Sequence, residues 1–398
     1  MSRPQRETTA SLRSLLPFVT PPGLGSEGAY VGRDLCGLPF FYDPLRLYLK
    51  PELGVTDPNV IVLGEIGKGK SALVKCLARR LSVFGYQTLY VDPKGETAAL
   101  AKAFGVSALR PTPGGGVCLN PLDAAASAAE REQLLETILE VLLARPLHMA
   151  ERRELNEVVR SLPASPTLGD CGELSKATRA EELALAFWHL VHGPAAGIFD
   201  GPTTEAINFD APLVALDLSG LLRAATGDHL HSLVLGLAAQ ALCGVIQRKR
   251  RRRLFVLDEA WFLLHQPATA SWLQRQWKLA RALGVANVAV LHRLSDLDAA
   301  GASAPLARGL VSDTQTKIVF SQPVAEATVL QAWLGLNEVE VDCVLGLPRG
   351  WALWMVGEHR FVVELEVQAA ERALIDTDQA MRPDTPMKAP IPKRKAQR

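Results

Sequence analysis

A chain of 398 residues that is 48% hydrophobic can bury a large core, and its length accommodates roughly two or three domain-sized units. With 43 basic and 42 acidic residues the formal charge is +1, which excludes a wholesale electrostatic affinity for nucleic acid or an anionic membrane; such affinity has to come from a local cluster. The six cysteines form no C-x-x-C pair, so reduced, mostly buried thiols and a cytoplasmic setting fit better than a zinc site or a disulfide framework.

In chain order, residues 1–28 are rich in Ser, Thr, Pro and Gly and read as a flexible arm, without the apolar core of a signal peptide. Residues 29–122 read as the first part of an α/β core. "LPFFYD" near residue 40 is a short strand, "NVIVLG" (59–64) a buried strand, "SALVKCLARRLSVFG" (71–85) a helix closed by Gly85, and "TLYVD" (88–92) the next strand. A strand, helix, strand succession builds a parallel sheet. Residues 123–195 change character: three amphipathic patterns broken by Pro and Gly predict an all-helical insertion.

Strand patterns resume over residues 196–370 with "LVALDLS" (213–219), "LFVLDEA" (254–260), "VANVAVLH" (285–292) and "TKIVFSQ" (316–322), separated by helical runs. "GWALWMVGEHRFVVELEV" (350–367) alternates around Gly357 as an edge hairpin would. The apolar run from Ser232 to Ile246 precedes six basic residues, Arg248 to Arg253, and superficially resembles a membrane anchor. A spanning helix needs about 20 apolar residues, and Gln240 interrupts this run, so a buried core helix is expected and no transmembrane segment. The basic run reads as a solvated helix end, favourable to the helix dipole. Residues 371–398 form a Pro-rich basic tail carrying Lys393, Arg394, Lys395 and Arg398.

The chemistry sits in two stretches. "GEIGKGKS" matches G-x-x-x-x-G-K-[ST] at Gly64, Gly69, Lys70 and Ser71, after an apolar strand and before a helix. Glycines let backbone N–H groups curl around phosphates, and the helix start adds its positive dipole end. The predicted nucleotide-binding set is Gly64, Gly67, Lys68, Gly69, Lys70, Ser71 and Ala72, for ATP with Mg²⁺. Lys70 reaches the β- and γ-phosphates and Ser71 ligates the metal. "LFVLDEA" ends in Asp258, expected beside Mg²⁺, and Glu259, expected to act as general base on the attacking water. Asp92, Lys94 and Glu96 follow a strand whose end faces the phosphates, while "GPTTEA" with Thr203, Thr204 and Glu205 could line the nucleotide edge or a subunit seam.

With "YVDPKGE" (90–96), "LNPL" (119–122), "GIFDGPTT" (197–204), "ALDLS" (215–219), "FVLDEAWFLL" (255–264), "LHRLSDL" (291–297) and "TKIVFSQ" in this order, the chain from about residue 30 to 367 resembles the traffic ATPases of conjugation and type IV secretion, within the FtsK/HerA superfamily of P-loop motors. The resemblance implies a RecA-like, mainly parallel sheet flanked by helices and a ring, a homo-hexamer, whose ATP hydrolysis moves DNA or protein at a membrane channel. It implies Arg281 as a finger acting on a neighbour's site and His292 as the sensor at a strand end, where the family often has glutamine. Because the likeness begins near residue 30, docking on channel components is expected to need an adaptor, at the inner face of the membrane. A HerA-like DNA translocase without a secretion channel and a nucleotide-gated scaffold with little hydrolysis are the alternatives.

Overall fold

The structure, a computed structural model, describes residues 23–375 apart from 126, 178–180, 225–227, 249 and 299–300. The N-terminal arm up to residue 22 and the basic tail from residue 376 lie outside the described residues.

One ten-stranded sheet carries the chain, in the order β2-β1-β10-β9-β8-β3-β7-β6-β4-β5. Six strands run parallel: β8 (Thr316–Phe320), β3 (Val60–Leu63), β7 (Val285–Val290), β6 (Arg253–Leu257), β4 (Gln87–Asp92) and β5 (Leu213–Asp217). Every residue of β3, β4, β5, β6 and β7 is buried, as expected for parallel strands covered on both faces. Alternate side chains divide between two cores. Ile61, Leu63, Leu89, Val91, Phe255 and Leu257 face one, and Val60, Val62, Tyr90, Leu254, Val256 and Ile318 face the other. Helix Lys70–Ser82 packs Leu73, Val74, Leu77, Ala78 and Leu81 into the second core.

The first core is closed by helices Asp228–Arg248 and Pro267–Leu283, on which Ala128–Leu143 lies. Four helices occupy residues 128–192: Ala128–Leu143, Met149–Ser161, Leu168–Ala177 and Glu181–His192. The third has no counterpart among the sequence patterns, because Gly169 and Gly172 mask its periodicity. The 228–248 helix is a core helix. Its Gln240 is satisfied by Trp272 Nε1 at 2.6 Å, and among the described residues no helix is long and apolar enough to cross a membrane. The six cysteines are free; Cys76, Cys171 and Cys243 are buried, and desolvation pushes each thiol up to about 12.

Two expectations need correction. The hairpin of β9 (Trp351–Val356) and β10 (His359–Leu365) is interior, not an edge: β9 pairs antiparallel with β8, and β10 with β1 (Ala29–Asp34), leaving β2 (Pro39–Tyr42) outermost. The sequence hid β1 because Gly32 sits in it. A Cβ there would lie 1.8 Å from the Glu364 carbonyl oxygen, so the strands approach only because the residue is glycine. The basic run is not one solvated face either. Arg250 and Arg252 are exposed and Arg251 bonds the Asp210 carbonyl at 3.1 Å, but Arg253 opens β6 and is 1% exposed, donating to Gln87 Oε1 (2.9 Å) and the Ile246 carbonyl (3.2 Å). A buried guanidinium needs such acceptors.

Candidate nucleotide site

The site lies at the carboxyl ends of β3, β7, β6 and β4, where ligands of open α/β sheets bind. After β3 the chain turns through Gly64, Gly67 and Gly69 at φ of 155°, 79° and 124° before helix Lys70–Ser82 begins. Gly64 has a second reason to be glycine: a Cβ would come within 2.6 Å of Phe320 Cβ. The loop is tied to its neighbours by Gly64 N to the His292 carbonyl (3.3 Å), Glu65 N to the Ser321 carbonyl (3.1 Å) and Gly350 N to the Lys68 carbonyl (2.9 Å). Lys70 is 6% exposed. Its Nζ donates to the carbonyls of Gly64 (2.5 Å) and Glu65 (3.0 Å) and lies 3.2 Å from His292 Nδ1. Burial draws its pKa down to about 8, against the pull of Glu259.

Across the site, Asp258 and Glu259 follow β6, with β7 between them and the loop strand. Glu259 has φ 52°, one of two described non-glycine residues with positive φ. Such backbone costs on the order of 1–3 kcal/mol and collects at functional sites. Its carboxylate receives three donors: Trp261 Nε1 at 2.5 Å, His292 Nε2 at 2.9 Å and the Lys94 ammonium in a close ion pair. Burial alone would raise its pKa, but the hydrogen bond from His292 and the pairing with Lys94 outweigh it and hold the group at about 2. Asp258 accepts from Glu259 N (3.0 Å) and Tyr90 Oη (3.3 Å); desolvation, then the charge of Glu259, push it up to about 6.

His292 links the two sides. With Nδ1 facing an ammonium donor and Nε2 facing a carboxylate, the neutral Nε2–H tautomer satisfies both. Its own carbonyl accepts from Gln322 Nε2 at 3.0 Å. Thus Lys70, His292 and Glu259, predicted from separate stretches, form one contact chain. Sequence reasoning missed Trp261, Tyr90 and Gln322. Only their places immediately after or within strands that end at the site could have flagged them.

Lys94 reaches Glu259, Glu96 pairs with buried Lys75 at 3.4 Å, and Asp92 braces its own loop through the backbone N–H groups of Lys94, Gly95 and Thr97. The hydroxyls of Thr203 and Thr204 take the N–H of Asn120 and of Cys118, both at 2.8 Å, stitching two loops together. Arg281 is not brought to this site. It is exposed near the end of helix Pro267–Leu283, lining a cavity with Asp57 and Asn59 at the start of β3, the opposite end of the strand from the loop. Any role in hydrolysis there requires the site of another copy.

The backbone fits a nucleotide: three glycines at positive φ turn the loop, and a buried lysine stands at the helix start. No group of three or more His, Cys, Asp or Glu suited to a metal occurs among the described residues. A Mg²⁺ ion would therefore rest on Ser71, Asp258 and the nucleotide's own oxygens.

A phosphate loop and a carboxylate pair two strands apart on a parallel sheet define a P-loop NTPase. The family model of an AAA-like domain matches residues 54–170, and that of the type IV secretion-system coupling protein DNA-binding domain matches residues 222–344. VirB4 of Thermoanaerobacter pseudethanolicus has a similar structure, with a TM-score of 0.75 at 21% identity over 88% of this chain and 100% of that one. The plasmid coupling protein TrwB in complex with ADP and Mg²⁺ gives 0.58 at 16% identity, over 87% and 91%. No curated protein sequence matches the chain. The chain shares the P-loop NTPase fold of these two solved structures.

Proposed function

We propose that the protein is an ATP-hydrolysing motor that works as a ring, a homo-hexamer, in conjugative DNA transfer or type IV secretion. The observation that carries the reading is the contact chain from Lys70 through His292 to Glu259, which ties the phosphate-holding loop to the water-activating carboxylate. Solved structures of TrwB with ADP and Mg²⁺ and with an ATP analogue support ATP and Mg²⁺ as the ligands.

Lys70 and the loop N–H groups hold the phosphates, and Glu259 takes a proton from the attacking water. Mg²⁺, when bound, neutralises developing phosphate charge. His292 couples the state of Lys70 to the orientation of Glu259 through its two ring nitrogens. Arg281, at the far end of β3, serves a neighbour's site as the finger. The helices between residues 128 and 192 form an insertion within the ATPase core, with 29–122 and 196–370 as its two parts.

The test is ATP turnover against protein concentration, with and without single- and double-stranded DNA, with Lys70→Ala as the blank. The motor reading expects turnover that rises steeply with concentration and an Arg281→Ala variant that binds ATP but does not turn it over. Turnover that is flat with concentration and no faster than the blank would sink it.

A further inference from the structure

Of the donors on Glu259, Lys94 also borders a second place. It lines a cavity of about 450 Å³ beside the site, together with Arg110, Thr112, Asp217, Ser219 and Arg223. Each cation is positioned. Asp92 Oδ1 accepts the N–H of Lys94 (3.1 Å) and Gly95 (2.8 Å), so Lys94 projects from a braced turn. Leu109 bridges to β5 through Leu109 N to the Ala215 carbonyl and Asp217 N to the Leu109 carbonyl, both 2.8 Å, which sets Arg110 beside the strand end. Arg110 Nε then meets Asp217 Oδ2 at 2.8 Å, and Arg223 Nε donates to the Ser219 carbonyl at 3.0 Å.

Three cations thus face one carboxylate, and that carboxylate is already taken by Arg110 and the Ser219 hydroxyl. Among the described residues no aromatic side chain lines the cavity, so its chemistry suits phosphate oxygens and not bases. The side chains of Lys94 and Arg110 are 39% and 63% exposed, open to a polymer passing outside.

We propose that this cavity takes a backbone phosphate of nucleic acid, which draws Lys94 off Glu259. The three donors fill three of the roughly four acceptor positions of the carboxylate, and losing Lys94 opens a second position for the attacking water. Nucleic acid in the cavity thereby raises hydrolysis in the adjacent site. The inference rests on Glu259 acting as the base and adds a regulator to it.

The experiment compares the wild type, Lys94→Met, Lys94→Arg and the Arg110→Ala/Arg223→Ala double variant as full chains. It reads ATP turnover with and without a single-stranded oligonucleotide, and anisotropy of the labelled oligonucleotide over a salt series. Wild type is expected to be stimulated. Lys94→Met should run at the stimulated rate without oligonucleotide and ignore its addition, while Lys94→Arg should keep the response. The double variant should lose stimulation and shallow the log–log salt slope by about 1.4, from about 0.7 per lost phosphate contact.

An unstimulated wild type, a Lys94→Met variant as slow as Glu259→Gln, or a double variant with unchanged salt slope and full stimulation each overturns the proposal. Stimulation that follows protein concentration alone, and is lost in the double variant, overturns it in favour of an acidic segment of a neighbouring copy. If instead Glu259→Gln turns over normally, the base assignment fails, and oligonucleotide binding at the two arginines remains a separate result.

Discussion

Asp258→Asn is expected to make the protein more stable and less active. Asp258 is 3% exposed, and its burial, with Glu259 beside it, lifts its pKa from an ordinary 3.8 to about 6. A carboxyl whose pKa is raised on folding adds stability below about pH 4, and that contribution is lost as the pH rises through 6. At neutral pH the ionised group is therefore a burden. About two pKa units at 1.36 kcal/mol each put that burden near 3 kcal/mol as an upper figure. The amide retains an oxygen for Glu259 N, and the Tyr90 hydroxyl can turn to accept from its nitrogen, so neither neighbour is orphaned. We expect a gain of roughly 1–3 kcal/mol at pH 7.5, a few degrees in Tm for a chain of this size. The gain should shrink toward zero by about pH 4, where the wild-type carboxyl is itself protonated. The assay is denaturant unfolding of both proteins at several pH values, with ATP turnover alongside. Destabilisation at pH 7.5, or a difference that does not change with pH, would refute the reasoning.

Glu259→Gln should lower turnover by about 10²–10⁴, the usual share of a general base, with nucleotide affinity kept, checked by steady-state kinetics and a fluorescent-nucleotide titration. Gly64→Ala places a methyl carbon 2.6 Å from Phe320 Cβ, so the phosphate loop has to shift; nucleotide binding should be lost in a protein whose circular dichroism is unchanged. Glu371→Ala removes the carboxylate that bonds the Arg80 guanidinium at 2.8 and 2.5 Å, a pair 7% and 10% exposed. Breaking a buried pair leaves an uncompensated charge, so a loss of roughly 3–5 kcal/mol in chemical denaturation is expected. The Arg80 contacts to the Tyr30, Val31 and Glu366 carbonyls soften that loss toward its lower end.

The sequence by itself determined what depends on near neighbours along the chain. The spacing of Gly64, Gly69 and Lys70 dictates a loop that only left-handed backbone can make, and the apolar runs before Gly64 and Asp258 dictate strands buried on both faces. A family resemblance resting on ordered motifs placed His292 at the end of β7, and the fold seats it between Lys70 and Glu259.

Only the tertiary structure decided which distant groups meet. Lys94 and Trp261 share a carboxylate with His292, although one follows β4 and the other β6, because parallel strands bring their ends together whatever their separation along the chain. Arg253 looked like one charge in a solvated run until strand pairing pulled it inside to meet Gln87. The β9–β10 hairpin had the alternation of an edge, and it is interior because a glycine-bearing strand from the other end of the chain pairs beside it. Periodicity records which face of an element is buried, whereas the neighbour that buries it is chosen by the packing of the whole sheet.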